Sequence, residues 1–529
     1  MPLSERSPAR QNMGPLPAPP TSQAAITTEM RILLVQPAPF ECGRIGLENA
    51  LWMSEPGALT AIAACVEDEH EVRILDMRLE EADALPRVLA SFRPELVGVT
   101  CMTTDAYQAQ AVLHCAKSIL GEQVFTLLGG HHPTLVPGEH DHEYIDAICI
   151  GEGEDTFAEL VTHLSSGGDP KALHAIDGLA FRSGETQTLT NKRSQARELD
   201  TFPAPARHLL DAYKGQYFFA SAMNMAAIQT SRGCAFDCNF CAIWEFYEKK
   251  VRFLSSKAIA DRMEECEEPF IFFLDDNFLT RPKRLEELCD EIERRNIKKF
   301  WMIQGRTDFV VENPELMKRM RDCGLMMVLS GFETNDAGTL ESLKKDNTRE
   351  NNLKAAELLN DLSIITTGIF MAHPDFEAQD FEDLYEAINE MKITIPLVVI
   401  HMPLPGTQSW RENKDKLLTT DARFFDLLHA VVPTRLPRRE FYERYAAWNE
   451  KTEASIDSSL SLRFIARRPR LMMAMRHGMK LFTERREVLR MALNDPENYL
   501  RDEDEIIGAS QAASAEELVE ALATEGVTA

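Results

Sequence analysis

The chain has 529 residues, of which 84 are acidic and 57 are basic, so its formal net charge is −27. This acidic balance argues against a nucleic-acid partner, because phosphate recognition depends on basic patches. The hydrophobic content of 44% is typical of a globular protein with a large core, and the length fits about three to four domains.

Residues 1–29 contain four closely spaced prolines and no apolar core region, which predicts a disordered leader and not a signal peptide. No apolar run reaches about 18 residues, so we expect no transmembrane helix. Eight of the eleven cysteines are scattered without disulfide-like spacing. We therefore expect reduced thiols and a cytoplasmic protein.

The segment 30–165 alternates strand and helix patterns. Strands are predicted at 32–35, 72–76, 96–100, 124–128 and 145–150, with helices at 57–66 and 106–120. This alternation predicts an α/β domain with a parallel, doubly wound sheet. Ligands of such sheets bind beyond the carboxyl ends of the strands.

Two glycine-containing stretches follow strands of this sheet: Gly-Gly-His-His-Pro-Thr at 129–134 and Gly-Glu-Gly-Glu at 151–154. Paired glycines let the backbone approach a bulky ligand, and a helix starting near Thr134 could offer N–H groups to a phosphate. Tight turns are the alternative reading. No GxGxxG follows the first strand, so a nicotinamide site is not expected. Residues 166–205 are predicted to be a polar linker with a short strand signal at 179–181, and it ends in a proline-rich hinge.

Three cysteines with CxxxCxxC spacing, Cys234, Cys238 and Cys241, follow an apolar run. Structural zinc needs four closed positions, and no fourth cysteine or paired histidine lies at the usual spacing. A 4Fe-4S cluster held by three cysteines leaves one iron open for a substrate or cofactor. The spacing therefore favours a cluster over zinc.

The segment 206–412 repeats βα units. Strands are predicted at 225–229, 270–274, 300–304, 326–330, 364–370 and 397–401, with helices such as 283–294 between them. About six such units predict a partial TIM-type barrel with its chemistry at the strand C-termini. Asp275 and Asp276 could bind hydroxyl groups there, or Asp276 or Asn277 could cap a helix. Outside this carboxylate turn, two histidines, His373 and His401, could carry protons or have structural roles.

Residues 413–529 are predicted to be mainly helical. The stretch 460–491 carries nine Lys or Arg against two Glu, with apolar residues at helical spacing. Such a helix could contact an anionic membrane surface or pack its apolar face on the barrel.

The cysteine motif, with the aromatic Phe240 before the last cysteine, resembles the radical SAM family. With the flavodoxin-like (Rossmann-type) domain upstream, the chain resembles the B12-dependent radical SAM methyltransferases. This resemblance implies a 4Fe-4S cluster, S-adenosyl-L-methionine (SAM) and methylcobalamin. DxHxxG is absent, so cobalamin is expected base-off. The cofactor contacts that the resemblance implies are Phe240, Arg306 and Glu333 for SAM and its cluster, and Thr103, Gly129, Gly130, His131, Gly151, Glu152 and Gly153 for cobalamin.

The stretches 47–53, 241–247 and 424–429 look like those of hopanoid C-3 methylases. That likeness implies methylation of an unactivated carbon in ring A of a hopanoid, with an electron donor such as flavodoxin or ferredoxin and possible peripheral membrane contact. The alternatives are a methylase of another substrate and an oxidative cyclase of the tetrapyrrole type. A cobalamin sensor would need no open iron, and a tRNA methylthiotransferase would carry a second cysteine set upstream and a basic tail.

Overall fold

The computed structural model describes residues 28–38, 52–455 and 493–500, apart from positions 82, 184–185, 196, 220–222, 335 and 346. Most of the expected leader, residues 47–51 and the basic stretch 460–491 lie outside the described residues. Among the helices that are described, none has the length and hydropathy to cross a bilayer.

The first sheet has seven strands in the order β3-β1-β4-β5-β6-β7-β8, and β1, β3, β4, β5 and β6 run parallel. These strands are β1 (Arg31–Gln36), β3 (Glu71–Asp76), β4 (Leu96–Thr100), β5 (Phe125–Gly129), β6 (Ala147–Cys149), β7 (Leu179–Ser183) and β8 (Thr186–Leu189). The helices α1 (Gly57–Ala63) and α5 (Glu154–Ser165) cover one face, and α2 (Ala84–Phe92) and α3 (Ala106–Leu120) cover the other. The order of the parallel strands is flavodoxin-like, as predicted.

The second sheet contains six parallel strands, as predicted for the partial barrel. They are β10 (Met223–Ile228), β13 (Phe270–Phe273), β14 (Phe300–Gln304), β15 (Leu325–Glu333), β16 (Ile365–Ala372) and β17 (Ile395–Ile400). Two short antiparallel strands, β9 (Phe218–Phe219) and β2 (Trp52–Met53), extend its edge. The first domain therefore adds a strand to the barrel sheet.

Helices pack on the outer side of the barrel strands, and further helices follow β17 along the chain. Alternate residues of β13 show the packing: Ile271 and Phe273 face the helices, and Phe270 and Phe272 face the barrel interior beside methionines. After β17 the described residues contain helices and no strand. The remaining helices are α4 (His131–Leu135), α6 (Ile243–Tyr247), α7 (Ser256–Glu265), α8 (Pro282–Arg295), α9 (Thr307–Glu312), α10 (Pro314–Asp322), α11 (Ala337–Ser342), α12 (Arg349–Asp361), α13 (Ala378–Met391), α14 (Gln408–Asn413) and α15 (Arg438–Ser455).

The stretch 166–205 is more than the linker that was predicted. β7 pairs antiparallel with β6 and β8 pairs with β7, so this hairpin completes the first sheet. Leu179, Ala180 and Phe181 are buried in it. Their apolar run is only three residues long, and the sheet edge that receives it is formed by residues 30 to 34 positions earlier.

Candidate functional site

The cysteine motif lies in a loop that begins at the C-terminal end of β10. Two short strands, β11 (Ser231–Arg232) and β12 (Arg252–Phe253), pair antiparallel and close this loop at its base. Gly233 has a φ of +90°, and a Cβ there would lie 2.1 Å from the Lys250 carbonyl oxygen. Only glycine fits this left-handed, crowded position.

Asp275 fixes the entry to the cysteine loop. Its carboxylate is fully buried and accepts hydrogen bonds from the backbone N–H groups of Thr230 (2.5 Å) and Ser231 (3.0 Å) and from both of their hydroxyls. Asp276 accepts a bond from the Gly233 N–H (3.1 Å), and burial raises the pKa of Asp276 to about 6. The hydrogen bonds that Asp275 accepts from Thr230 and Ser231 therefore give it a structural role.

The helix-capping alternative for Asp276 or Asn277 is wrong. The next helix, α8, begins at Pro282 with Arg281 before it. The turn after β13 is thus used to hold the cysteine loop and not to start a helix.

The three cysteines lie within eight residues in a largely buried loop. Burial raises the pKa of all three thiols, and that of Cys241 to about 12. The nearby cations of Arg306 and Lys345 oppose this rise at Cys234 and Cys238 without cancelling it. Binding to iron would supply the stabilisation that these buried thiolates need.

Among the described residues, no three His, Cys, Asp or Glu side chains converge as a single metal ion requires. A cubane cluster has a different requirement, because each cysteine binds a separate iron. The donor set of three thiols without a fourth protein ligand therefore fits the predicted cluster better than it fits zinc.

Glu333, predicted to contact SAM, lies at the end of β15 near the cysteine loop. Its backbone has a φ of +62°, and Lys345 donates a hydrogen bond to its Oε1 at 2.6 Å. Its other oxygen, Oε2, is buried and has no partner in the structure. An acceptor without a donor here fits a ligand that brings one, such as an ammonium group.

Arg306, the other predicted SAM contact, lies after β14. Its guanidinium carbon stands 3.6 Å from the centroid of the Phe236 ring, inside the cysteine motif, and it pairs with Asp308 at 2.8 Å. Arg306 thus packs against the cysteine loop through the Phe236 ring. Its contact with SAM stays a prediction.

Phe240 and the two histidines meet at the barrel rim. The ring centroids of Phe240 and His401 are 6.4 Å apart, and the rings of His373 and His401 stack at 4.8 Å. Burial lowers the pKa of His373, and burial together with His373 lowers the pKa of His401 to about 4. Both rings are therefore neutral at pH 7, and their proposed role as proton carriers stays a prediction.

The first glycine turn, Gly129–Gly130, lies at the end of β5 and packs against the backbone of Cys101, the residue directly after β4. Gly130 has a φ of +117°, and a Cβ there would lie 2.4 Å from the Cys101 carbonyl oxygen. The Thr134 hydroxyl donates to the Gly130 carbonyl (2.8 Å) and accepts from the Gly151 N–H (3.0 Å). It thereby joins the two predicted cobalamin-binding turns.

The helix after this turn, α4, begins at His131, and not near Thr134 as predicted, and it is only one turn long. The His131 ring lies 4.6 Å from that of Phe246, and its buried Nε2 has no partner in the structure. Burial lowers the pKa of His131. His132 faces the other way, towards Glu139 and His140.

A cavity of about 430 Å³ lies between the two domains. Its first-domain wall includes Gly129, Gly130, His131 and the 151–154 turn, and its barrel wall includes Ile228, Gln229 and Arg232. A Cβ on Gly151 would meet nothing within 4 Å, although its φ of +84° favours glycine. Thr100 and Met102 line the cavity, whereas the predicted contact Thr103 is not part of its lining.

Glu152 was predicted to bind cobalamin, but its carboxylate pairs with protein groups. It contacts the guanidinium groups of Arg252 and Arg232, the latter at 3.4 Å. The neighbouring Glu154 also pairs with Arg232. Burial alone would raise the pKa of Glu154, but Arg232 outweighs it and lowers that pKa. These contacts join residues 78 or more positions apart, so no local sequence pattern indicates them.

Comparison with known proteins gives a match in each domain. Residues 47–161 match the family described as B12 binding domain, and residues 228–388 match the Radical SAM superfamily. The hopanoid C-3 methylase of Methylococcus capsulatus is 30% identical over 425 residues, which cover 78% of each chain.

Two further proteins extend the comparison. An anaerobic magnesium-protoporphyrin IX monomethyl ester cyclase of Rubrivivax gelatinosus is 26% identical over 372 residues, covering 68% of this chain and 66% of that one. The solved structure of the cobalamin-dependent S-adenosylmethionine radical enzyme OxsB, with aqua-cobalamin and S-adenosylmethionine bound, superposes with a TM-score of 0.64 at 14% identity. The match covers 94% of this chain and 79% of OxsB. The likeness to OxsB shows a shared fold.

Proposed function

Because the chain belongs to the cobalamin-dependent radical SAM enzymes, we propose that it transfers a methyl group to an unactivated sp3 carbon of an apolar small molecule. The substrate we propose is a hopanoid, methylated at C-3 of ring A. The similarity to the hopanoid C-3 methylase supports this choice, as do the stretches at 241–247 and 424–429.

When bound, a reduced 4Fe-4S cluster would supply the electron for cleavage of SAM, and methylcobalamin would supply the methyl group. In this proposal Cys234, Cys238 and Cys241 bind the cluster. The glycine turns at 129–131 and 151–153 leave room for cobalamin. Glu333, whose Oε2 is buried without a partner, would bind the SAM amino group in this proposal.

One observation carries the proposal: the cysteine loop and the first glycine turn share an interface. Helix α6 follows Cys241 almost directly, and its Phe246 ring lies 4.6 Å from the ring of His131. On the opposite side, a Cβ on Gly406, in the loop after β17, would lie 2.6 Å from the Cβ of Leu135 in α4. A substrate radical and a methyl donor must meet at one point, and this interface brings their predicted binding loops together.

The residues around this interface also limit access of water to a reactive intermediate. Phe202, Phe246 and Leu254 line the cavity, and Phe246 and Tyr247 are buried at its edge. The same cavity is also lined by charged side chains, among them Arg78, Glu154 and Arg207. Where apolar side chains face the reacting centre, they would protect a carbon radical from side reactions.

A second candidate is an oxidative cyclase of the tetrapyrrole type. The similarity to the Rubrivivax gelatinosus cyclase favours it. A cyclase would consume SAM without placing its methyl group on the product. A methylase of another apolar substrate would keep the chemistry and change only the acceptor.

The test uses anaerobically reconstituted enzyme with SAM, methylcobalamin, a low-potential reductant and the hopanoid diplopterol, followed by mass spectrometry of the lipid. We expect a product with one additional methyl group on ring A. Formation of 5′-deoxyadenosine with unchanged diplopterol would refute the hopanoid assignment. A parallel incubation with magnesium-protoporphyrin monomethyl ester would then test the cyclase.

A further inference from the structure

Four charged side chains that are almost entirely covered join the base of the cysteine loop to the first domain. Glu152 and Glu154 come from the Gly-Glu-Gly-Glu turn after β6, and Arg232 and Arg252 come from β11 and β12. Arg232 pairs with both carboxylates and Arg252 pairs with Glu152. We call this group the interdomain clamp.

The clamp contacts the cysteine loop at both of its ends. Arg232 and Arg252 are directly opposite each other in the β11–β12 ladder, which closes the loop. Arg232 is two residues before Cys234 in the chain. On the other side, Glu152 lies between Gly151 and Gly153, which line the interdomain cavity. The clamp thus connects the predicted cluster ligands to a predicted cobalamin turn through very short stretches of backbone.

The clamp is less exposed than most ion pairs among the described residues. The four side chains are between 6% and 13% exposed. Burying charges has a large desolvation cost, so such a group adds little to stability compared with apolar packing of the same volume. The clamp instead adds geometric specificity. Its charge-assisted hydrogen bonds are directional, so they fix the relative position of the two loops more narrowly than apolar contact does.

Further hydrogen bonds hold both arginines in place. The Arg232 Nε donates to the Gln229 side-chain oxygen at 2.9 Å, and an Arg252 Nη donates to the Arg197 carbonyl at 3.1 Å. The guanidinium groups therefore have fixed positions before they meet the two glutamates. Rigid donors of this kind keep a geometry that flexible surface pairs lose.

We propose that the interdomain clamp is a positioning device that sets the distance between the iron-sulfur cluster and the cobalt of cobalamin. This inference rests on the proposed function, in which a substrate radical formed beside one cofactor is captured by a methyl group from the other. When the clamp is loosened, SAM is still cleaved, but the radical meets the methyl donor less often. Deoxyadenosine is then formed without a methylated product.

The experiment compares holoenzymes of the wild type, Glu154→Gln and a control variant, Lys192→Gln. Gln keeps the size of Glu154 and removes its charge. Lys192, in the 166–205 stretch, pairs with Glu248, which lies between α6 and β12. The Lys192 side chain is 60% exposed. The two substitutions therefore each remove one ion pair, one buried and one at the surface.

The first measurement is the magnetic dipolar coupling between cob(II)alamin and the reduced cluster, recorded without substrate by pulsed electron paramagnetic resonance. We expect one narrow distance distribution for the wild type and Lys192→Gln, and a broadened or shifted one for Glu154→Gln. With an accepted substrate, the ratio of deoxyadenosine to methylated product should rise by at least about fivefold in Glu154→Gln only.

A wild-type distance distribution in cofactor-replete Glu154→Gln would overturn the proposal. If Glu154→Gln does not fold with its cofactors, Glu152→Gln, which leaves the Arg232–Glu154 pair intact, replaces it with the same criterion. The distance measurement needs no substrate, so an incorrect hopanoid assignment would leave it unchanged. Failure of the clamp and failure of the proposed function can therefore be told apart.

Discussion

Replacement of Gly130 by alanine tests whether the first glycine turn binds cobalamin. The new Cβ would lie 2.4 Å from the Cys101 carbonyl oxygen and 2.7 Å from the Cys101 nitrogen, whereas ordinary Cβ contacts are 3.4 Å or longer. Relief of this overlap requires a movement of about 1 Å, because both atoms belong to backbone that cannot rotate away. The turn that carries Gly129 and His131 must move with it.

The matched control is Gly167→Ala. Gly167 also has a positive φ, +77°, but a Cβ there would meet nothing within 4 Å. Both substitutions place alanine at a positive φ, at a cost of about 1–3 kcal/mol, and Gly130, whose ψ is −173°, lies in a region that is nearly restricted to glycine. Gly130→Ala also adds the collision, so the difference between the two variants reports the strain and the displacement at this turn together.

The assay is titration of the apoprotein with hydroxocobalamin, followed by its absorption spectrum. We expect Gly130→Ala to bind at least about tenfold more weakly than Gly167→Ala, which corresponds to about 1.4 kcal/mol, with a similar iron content in both proteins. Equal cobalamin affinity in the two variants would refute the assignment of this turn to cobalamin.

Three further predictions follow from the site and its surroundings. Replacing any cluster cysteine, for example Cys234→Ala, should abolish formation of 5′-deoxyadenosine and leave cobalamin bound, and retained cleavage of SAM would contradict the cluster assignment. Burial and the neighbouring His132 lower the pKa of His140 to about 3, so only the unfolded chain binds this proton between about pH 6.5 and 4. Stability should therefore fall by about 3 kcal/mol as the pH falls through that range, and His140→Leu should show a smaller loss in urea unfolding. Asp275→Asn would turn an amide N–H₂ towards hydrogen-bond donors, so we expect a loss of about 2–4 kcal/mol together with a reduced iron content, whereas exposed Asp261→Asn should retain both.

The strands were predictable because each is a short apolar run followed by polar residues. β4, β14 and α3 begin and end at the predicted residues. Such runs bury both faces of a parallel sheet and leave a strong local pattern. The CxxxCxxC motif is also local, so its three thiols and their position after β10 could be identified from spacing alone.

The connections between the domains could not be predicted in the same way. Glu152 was predicted to contact cobalamin from the family resemblance, and its pairing with Arg252, 100 residues away, was not predicted. Asp275 was predicted to bind hydroxyl groups of a ligand, and its hydrogen-bond donors Thr230 and Ser231 lie about 45 residues earlier. Pairing over such separations depends on the tertiary fold, which periodicity does not report.

The most direct test is a multiple-turnover reaction with SAM that carries a deuterated methyl group, methylcobalamin and diplopterol under anaerobic conditions. The account predicts a lipid methylated on ring A, with 5′-deoxyadenosine and S-adenosylhomocysteine formed together as cobalamin is remethylated in later turnovers. In those later turnovers the deuterated methyl group must enter the lipid. Deoxyadenosine formation without any transfer of the label to an organic product would contradict a methyltransferase and support a cyclase.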